Sequence, residues 1–197
     1  DAPFDLATCT RGLGEQWELL NVAFKPYPAC HFNHAFADAA LALKAAHGLT
    51  PDDIDEAYIA SSRALAITGT HLSHPNTRAA VLKALEYARR HGLRTALDID
   101  YRPVLWGLTS LGDGETRFVE SDQVTRELQE VLHHFDLIVG TEEEFHIAGG
   151  STDTLTALKN VRRATAATLV CKRGAQGCSV FEGEIADGWE QVKLHAG

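Results

Sequence analysis

The sequence predicts an α/β fold: a mainly parallel sheet with flanking helices, preceded by a small, mostly helical segment. Two observations carry this reading. From about residue 64 onward, short apolar runs alternate with stretches of helical periodicity, and such alternation implies right-handed crossovers and a parallel sheet covered by helices. Before residue 58 the strongest pattern is instead a helical one, with Phe32, Ala35, Phe36, Ala39 and Leu43 on one face over a helix Phe36–His47 and Gly48 as its stop. Charge divides at the same place: residues 1–57 carry 3 basic and 9 acidic side chains, residues 58–197 carry 15 and 18. The turn-forming run Thr50-Pro51-Asp52-Asp53 marks the join, so two regions are expected, 1–57 and 58–197.

The elements of the larger region follow in order. Residues 64–70 (ALAITGT) read as a buried strand. Asn76 then caps a helix whose stripe is Val81, Leu82, Leu85 and Ala88, ending before Gly92. Residues 94–100 (RTALDID) form the second strand. Ser121 caps a helix with Val124, Leu128, Val131, Leu132 and Phe135 on its apolar face. Residues 136–140 (DLIVG) are the third strand, followed by helices from Thr141 and from about Ser151, the latter with Leu155, Leu158 and Val161 inward. Residues 167–172 make a fourth strand, and 178–181 a fifth, antiparallel after the Gly174–Gly177 turn.

Composition excludes several classes of function. A chain of 197 residues with 45% hydrophobic content can bury a core, and 23% charged residues is a globular value. No apolar run approaches the roughly 20 residues needed to span a bilayer. The opening DAPFDLATCT lacks a basic start and apolar stretch, so a cytoplasmic protein is expected. A net charge of −9 is not the footprint of a general nucleic-acid binder. The four cysteines, Cys9, Cys30, Cys171 and Cys178, form no C-x-x-C pair and read as reduced thiols. Methionine is absent throughout, as in a processed product or an excised piece.

Ligands of open parallel sheets bind outside the carboxyl ends of the strands, and the polar residues fall there. Gly69, Thr70 and His71 follow the first strand, and Asp98, Asp100 and Arg102 the second. Thr141 and Glu144 follow the third, and Lys172, Arg173, Gly174 and Gly177 the fourth. Carboxylates suit Mg²⁺, Arg suits a phosphate or carboxylate, and a glycine turn lets backbone N–H groups approach an anion. Together they fit a Mg-nucleotide and an anionic or phosphorylated substrate. Thr141-x-x-Glu144 also reads as a helix capping box, and the two roles are compatible. Lys25, Cys30 and His34 form a second candidate group for an anionic ligand. The H-x-x-H spacings His31/His34 and His71/His74 lack a third ligand and are not read as zinc sites. The Arg89-Arg90 and Arg162-Arg163 pairs read as solvated helix faces.

The run Asp98-Ile-Asp-Tyr-Arg-Pro-Val-Leu-Trp-Gly107 resembles the D-x-N-x-R-x-x-L-W segment of ribokinase-like (PfkB) sugar kinases, with Asp100 where Asn is usual. Gly140–Glu144 resembles their N-x-x-E magnesium motif, with Thr141 in place of Asn. Lys172–Gly177 resembles their nucleotide-side K-x-G-x-x-G turn. More narrowly, TGTHLSHP, LDIDYRPVLWGLT, VGTEEEFHIAGGSTDT and VCKRGAQGC resemble the 5-dehydro-2-deoxygluconokinase branch, over about residues 56–186. The resemblance implies ATP- and Mg²⁺-dependent phosphorylation of a sugar acid, 5-dehydro-2-deoxy-D-gluconate in myo-inositol catabolism. It assigns Asp98, Asp100 and Arg102 to phosphate or substrate, Lys172, Gly174 and Gly177 to nucleotide, and Glu144 and Thr141 to the metal. Partners would be the sugar acid and nucleotide, with no nucleic acid or membrane. The family's N-terminal third and its G-A-G-D motif, whose Asp is the catalytic base, have no counterpart in the sequence. The chain alone is therefore expected to be inactive, retaining at most nucleotide binding, with uncovered sheet edges that favour self-association.

Residues 13–54, including Phe24-Lys-Pro-Tyr-Pro-Ala-Cys-His-Phe-Asn-His34, resemble the MmgE/PrpD family of 2-methylcitrate dehydratase and cis-aconitate decarboxylase. That resemblance implies a carboxylate-binding Lys25, with Cys30 and His34 at or beside an active site. The combination reads as a chimera, joined within residues 52–58, with dehydratase or decarboxylase chemistry as the alternative function.

Overall fold

The computed structural model describes residue 7, residues 10–15, residue 17, and residues 31–110 and 118–195. The chain forms two compact units, Asp1–Gly48 and Leu49–Gly197. In the first, helix α1 (His34–His47) ends where Gly48 turns left-handed (φ 61°) and its amide bonds the Lys44 carbonyl at 2.9 Å. Its apolar stripe is not a core: Phe32, Phe36 and Leu43 are all exposed, and of the residues of α1 only His34 is buried.

The second unit is built on one sheet in the order β1 (Ala64–Thr68), β2 (Arg94–Asp98), β3 (Leu137–Thr141), β4 (Thr168–Lys172), β5 (Cys178–Phe181) and β6 (Leu194–His195). The first four strands are parallel and the last two antiparallel. Helices α2 (Glu56–Ala60), α3 (Pro75–Arg90), α4 (Asp122–Gln129), α5 (Glu142–Gly149) and α6 (Thr154–Ala164) flank it. The core runs through both layers, with Leu85, Leu97, Leu132, Ile138, Phe145, Leu158 and Leu169 fully enclosed. The stripes expected on α4 and α6 are buried as predicted. α4 itself stops at Gln129, and a 3-10 turn, Leu132–His134, completes its apolar face.

Several local readings are corrected by geometry. α3 is capped by His74, whose Nδ1 accepts from the Asn76 amide at 3.3 Å, because Pro75 occupies the first helical position where its missing N–H costs nothing. β2 ends at Asp98, since Asp100 takes a positive φ (35°) that breaks the extended backbone. Arg162 is no solvated side chain: its guanidinium donates to the carbonyls of Thr165, Ala167 and Phe181 at 3.2, 2.7 and 2.9 Å, tying the start of β4 to the end of β5. β6, only two residues long, has no apolar run to announce it. Residues 49–60 belong to the second unit, where Glu56 accepts from Arg90 at 2.8 Å and pairs with His91 at 2.9 Å. Among the described residues, Cys171 and Cys178 are free thiols; burial pushes the Cys171 thiol up to about 12. No described helix is long and apolar enough to cross a membrane.

Candidate functional site

Strand register decides which side chains meet. Thr68 pairs with Asp98 across β1–β2, and Thr141 with Lys172 across β3–β4. Parallel strands end together, so the polar residues that follow them converge. A cavity of about 300 Å³ opens there, lined by Asp98, Asp100, Tyr101, Arg102, Thr141, Glu143, Glu144 and Lys172. It joins two cations to four carboxylates at the ends of three adjacent strands. A larger hollow of about 580 Å³ lies along α3 and α4, but its charged residues come only from those two helices and the C-cap of α4, Arg78 pairing with Glu130 at 2.7 Å and with Glu127 at 3.9 Å. Convergence of unlike functional groups, rather than size, marks the smaller cavity as the candidate site.

Asp100 organises the β2 side. Its positive φ is a conformation that Asp and Asn tolerate better than other non-glycine residues. In that pose Oδ1 accepts from Arg102 Nε at 2.9 Å and Oδ2 from Thr68 Oγ1 at 3.0 Å, while Thr68 Oγ1 lies 3.0 Å from Thr70 Oγ1. Arg102 is thereby held by one edge of its guanidinium, and the terminal NH₂ groups remain for a carboxylate or phosphate. Across the cavity Lys172 Nζ sits 3.4 Å from Asp98 Oδ1, a loose ion pair between two half-exposed groups. Tyr101 also lines the cavity: it is buried, its hydroxyl donates to the Val119 carbonyl at 2.6 Å, and burial pushes its phenol up to about 12.

The β3 side is a complete capping box. Glu144 Oε2 accepts from the Thr141 amide at 2.7 Å, and the Glu144 amide donates to Thr141 Oγ1 at 3.3 Å. Gly140 makes room for it: a Cβ there would meet Ile99 Cδ1 at 2.8 Å and Glu144 Cβ at 3.3 Å. Oε1 of Glu144 takes no part in the box. The donor set is oxygen-rich: Glu143 and Glu144 of the first turn of α5 line the cavity with Asp98 and Asp100, and carboxylate oxygens are the ligands that hard cations take. No cluster of three or more protein ligands forms a closed metal cage among the described residues.

The β4–β5 turn has the expected glycine geometry, with Gly174 at φ 55° and Gly177 at φ 92°. It closes through Arg173 N to Gly177 O at 2.8 Å and Gly177 N to Gly174 O at 3.0 Å. Gly174 and Gly177 lie outside the cavity, whereas Lys172 lines it. Thr68, Tyr101 and Glu143 carry no sequence signal that marks them for the site. Of the second candidate group, Lys25 and Cys30 lie outside the described residues. His34 belongs to the other compact unit.

Comparison with known proteins bears on the family and the fold. Residues 36–193 match the pfkB family carbohydrate kinase domain. The chain is 29% identical over 143 residues to a 5-dehydro-2-deoxygluconokinase of Bacillus subtilis (strain 168), covering 70% of this chain and 40% of that protein. The crystal structure of a PfkB protein from Polaromonas sp. JS666 superposes with a TM-score of 0.57 at 24% identity, covering 76% of this chain and 45% of the other. Aminoimidazole riboside kinase from Salmonella enterica, solved with aminoimidazole riboside and an ATP analog, gives 0.51 at 15% identity, over 68% and 39%. The chain thus spans about two fifths of the length of these relatives.

Proposed function

Because the chain belongs to the pfkB family of carbohydrate kinases, we propose that its strand-end cavity is the phosphoryl-transfer site of an ATP-dependent sugar-acid kinase. The observation that carries this is the meeting of Arg102 and Lys172 with Asp98, Asp100, Glu143 and Glu144 in one cavity. Phosphoryl transfer asks little covalent chemistry of a protein; it asks for positioning and for charge placed around the phosphate oxygens. Lys172 is the nucleotide-side cation, beside the Gly174–Gly177 turn. Glu144 and Thr141 form the metal side, Mg²⁺ supplying charge neutralisation when bound. Arg102, steadied by Asp100, takes the carboxylate or phosphate of the substrate, and Asp98 accepts hydrogen bonds from its hydroxyls. The name of the Bacillus relative supports 5-dehydro-2-deoxygluconate as substrate, and the ATP analog in the Salmonella enzyme supports ATP as donor. We assign the proton-accepting role to none of the lining carboxylates, so the decisive readout is binding.

The test separates the metal role of Glu144 from its capping role. Titrated with MgATP, the chain should bind near 1 mM, about −4 kcal/mol. Glu144→Gln keeps a capping-box residue, so its thermal midpoint should hold, while the affinity gained from Mg²⁺ falls about tenfold. Glu144→Ala should lose that gain and also about 1 kcal/mol of stability. A chain that binds no nucleotide refutes the kinase reading. A Glu144→Gln protein with undiminished Mg²⁺ response reduces the motif to a helix cap.

A further inference from the structure

Arg173 follows the last residue of β4 and lies outside the cavity, yet only 18% of its side chain is exposed. Its Nε donates to Glu142 Oε1 at 3.3 Å, and its guanidinium carbon lies 3.9 Å from the centroid of the Trp189 ring. These partners come from separate stretches of chain. Glu142 is the first residue of α5, next to Thr141 in the capping box. Trp189 opens a 3-10 turn in the segment between β5 and β6 and packs against the core. The β4–β5 turn carries its own backbone hydrogen bonds, separate from both contacts. The guanidinium is used along its edge by the carboxylate and on its face by the indole, a pairing that a lysine ammonium cannot reproduce.

We propose that Arg173 is a positioning residue: by bridging Glu142 and Trp189 it clamps the Lys172–Gly177 turn to the first turn of α5. The proposal deepens the kinase reading and rests on it for the ligand. Strand register aligns the backbones of Thr141 and Lys172, and beyond the strand ends the Arg173–Glu142 ion pair joins the two turns. Their separation decides whether a phosphate chain and its metal are gripped at once, and sites of this kind tolerate little slack. The clamp therefore makes nucleotide and Mg²⁺ binding support each other.

The experiment compares the full chain with Arg173→Ala, Arg173→Lys, Trp189→Ala and Trp189→Phe by amide hydrogen exchange and by ATP titration in Mg²⁺ and in EDTA. Arg173→Ala should speed exchange about tenfold both in residues 172–177 and at the Thr141 and Glu144 amides, and cut the Mg²⁺ enhancement of ATP affinity by a similar factor. Trp189→Ala should move both readouts the same way. Trp189→Phe should restore them, and Arg173→Lys should restore them only in part. The two conservative variants guard against a mere loss of folding, which lowers affinity equally with and without metal. Faster exchange confined to residues 172–177 overturns the clamp, as does an unchanged Mg²⁺ enhancement. If the unaltered chain binds no ATP, the kinase reading fails, and exchange at the Thr141 and Glu144 amides still decides whether Arg173 couples the turns.

Discussion

Gly69→Ala should cost about 3 kcal/mol of stability and weaken MgATP binding by about tenfold or more. A Cβ at Gly69 would lie 2.1 Å from the Ile99 carbonyl oxygen and 3.0 Å from its carbon. Both are backbone atoms, so no side chain can swing aside, and the cost is one of close approach rather than of φ. Ile99 cannot retreat easily: its amide donates to the Val139 carbonyl at 2.9 Å and its side chain is 1% exposed. Any relief must push Ile99 outward, carrying Asp98 and Asp100 with it and opening the Thr68–Asp100 hydrogen bond. Fold and site are therefore coupled at this glycine. Urea unfolding and MgATP titration read the two effects. Gly183→Ala is the control, since nothing lies within 4 Å of a Cβ there, and it should change stability by less than about 0.5 kcal/mol. An unaltered urea midpoint for Gly69→Ala would show that the β1–β2 ends are not packed as described.

What could be read from the sequence was what periodicity encodes. Strands β1 to β4 announced themselves as short apolar runs, and the stripes of α4 and α6 as helical spacing, because burying one face leaves a repeat in the chain. Once those strands are aligned in parallel, the polar residues just after them converge, which is why Asp98, Asp100, Arg102, Glu144 and Lys172, read from the sequence as strand-end residues, line one cavity. Tertiary contacts leave no such repeat. Arg162 reads like any helical arginine until three carbonyls are brought within its reach. Tyr101 carries no sign that its hydroxyl finds Val119. The stripe of α1 has the right spacing yet is exposed, since a periodic face states only that burial is available. Gly140 and Gly149 look like ordinary glycines until Glu144 and the Ala157 backbone crowd them.

Phe145→Ala should bring the second unit close to its unfolding threshold. The side chain is fully enclosed, and removing a buried phenyl ring costs about 3–5 kcal/mol, lost transfer energy and residual cavity together. Against a typical total of about 5–15 kcal/mol, little is left. Phe145→Leu keeps most of the volume and should cost only about 1 kcal/mol. The consequence for the site follows from the length of α5. A helix of eight residues has too few internal hydrogen bonds to persist unaided, so it stands because Phe145, Ile147, Ala148 and Gly149 are buried. Phe145 is the first of these and adjoins Glu144, so it anchors the turn that holds the capping box and the Arg173 ion pair. In the folded fraction of Phe145→Ala, loosening that turn should therefore lower the Mg²⁺ enhancement of ATP binding more than ATP binding in EDTA, whereas Phe145→Leu should preserve it. Urea unfolding and paired titrations measure both. A stability loss below about 1 kcal/mol would contradict the assigned core, and an intact Mg²⁺ response in the folded Ala variant would show that Glu144 is held by its cap alone.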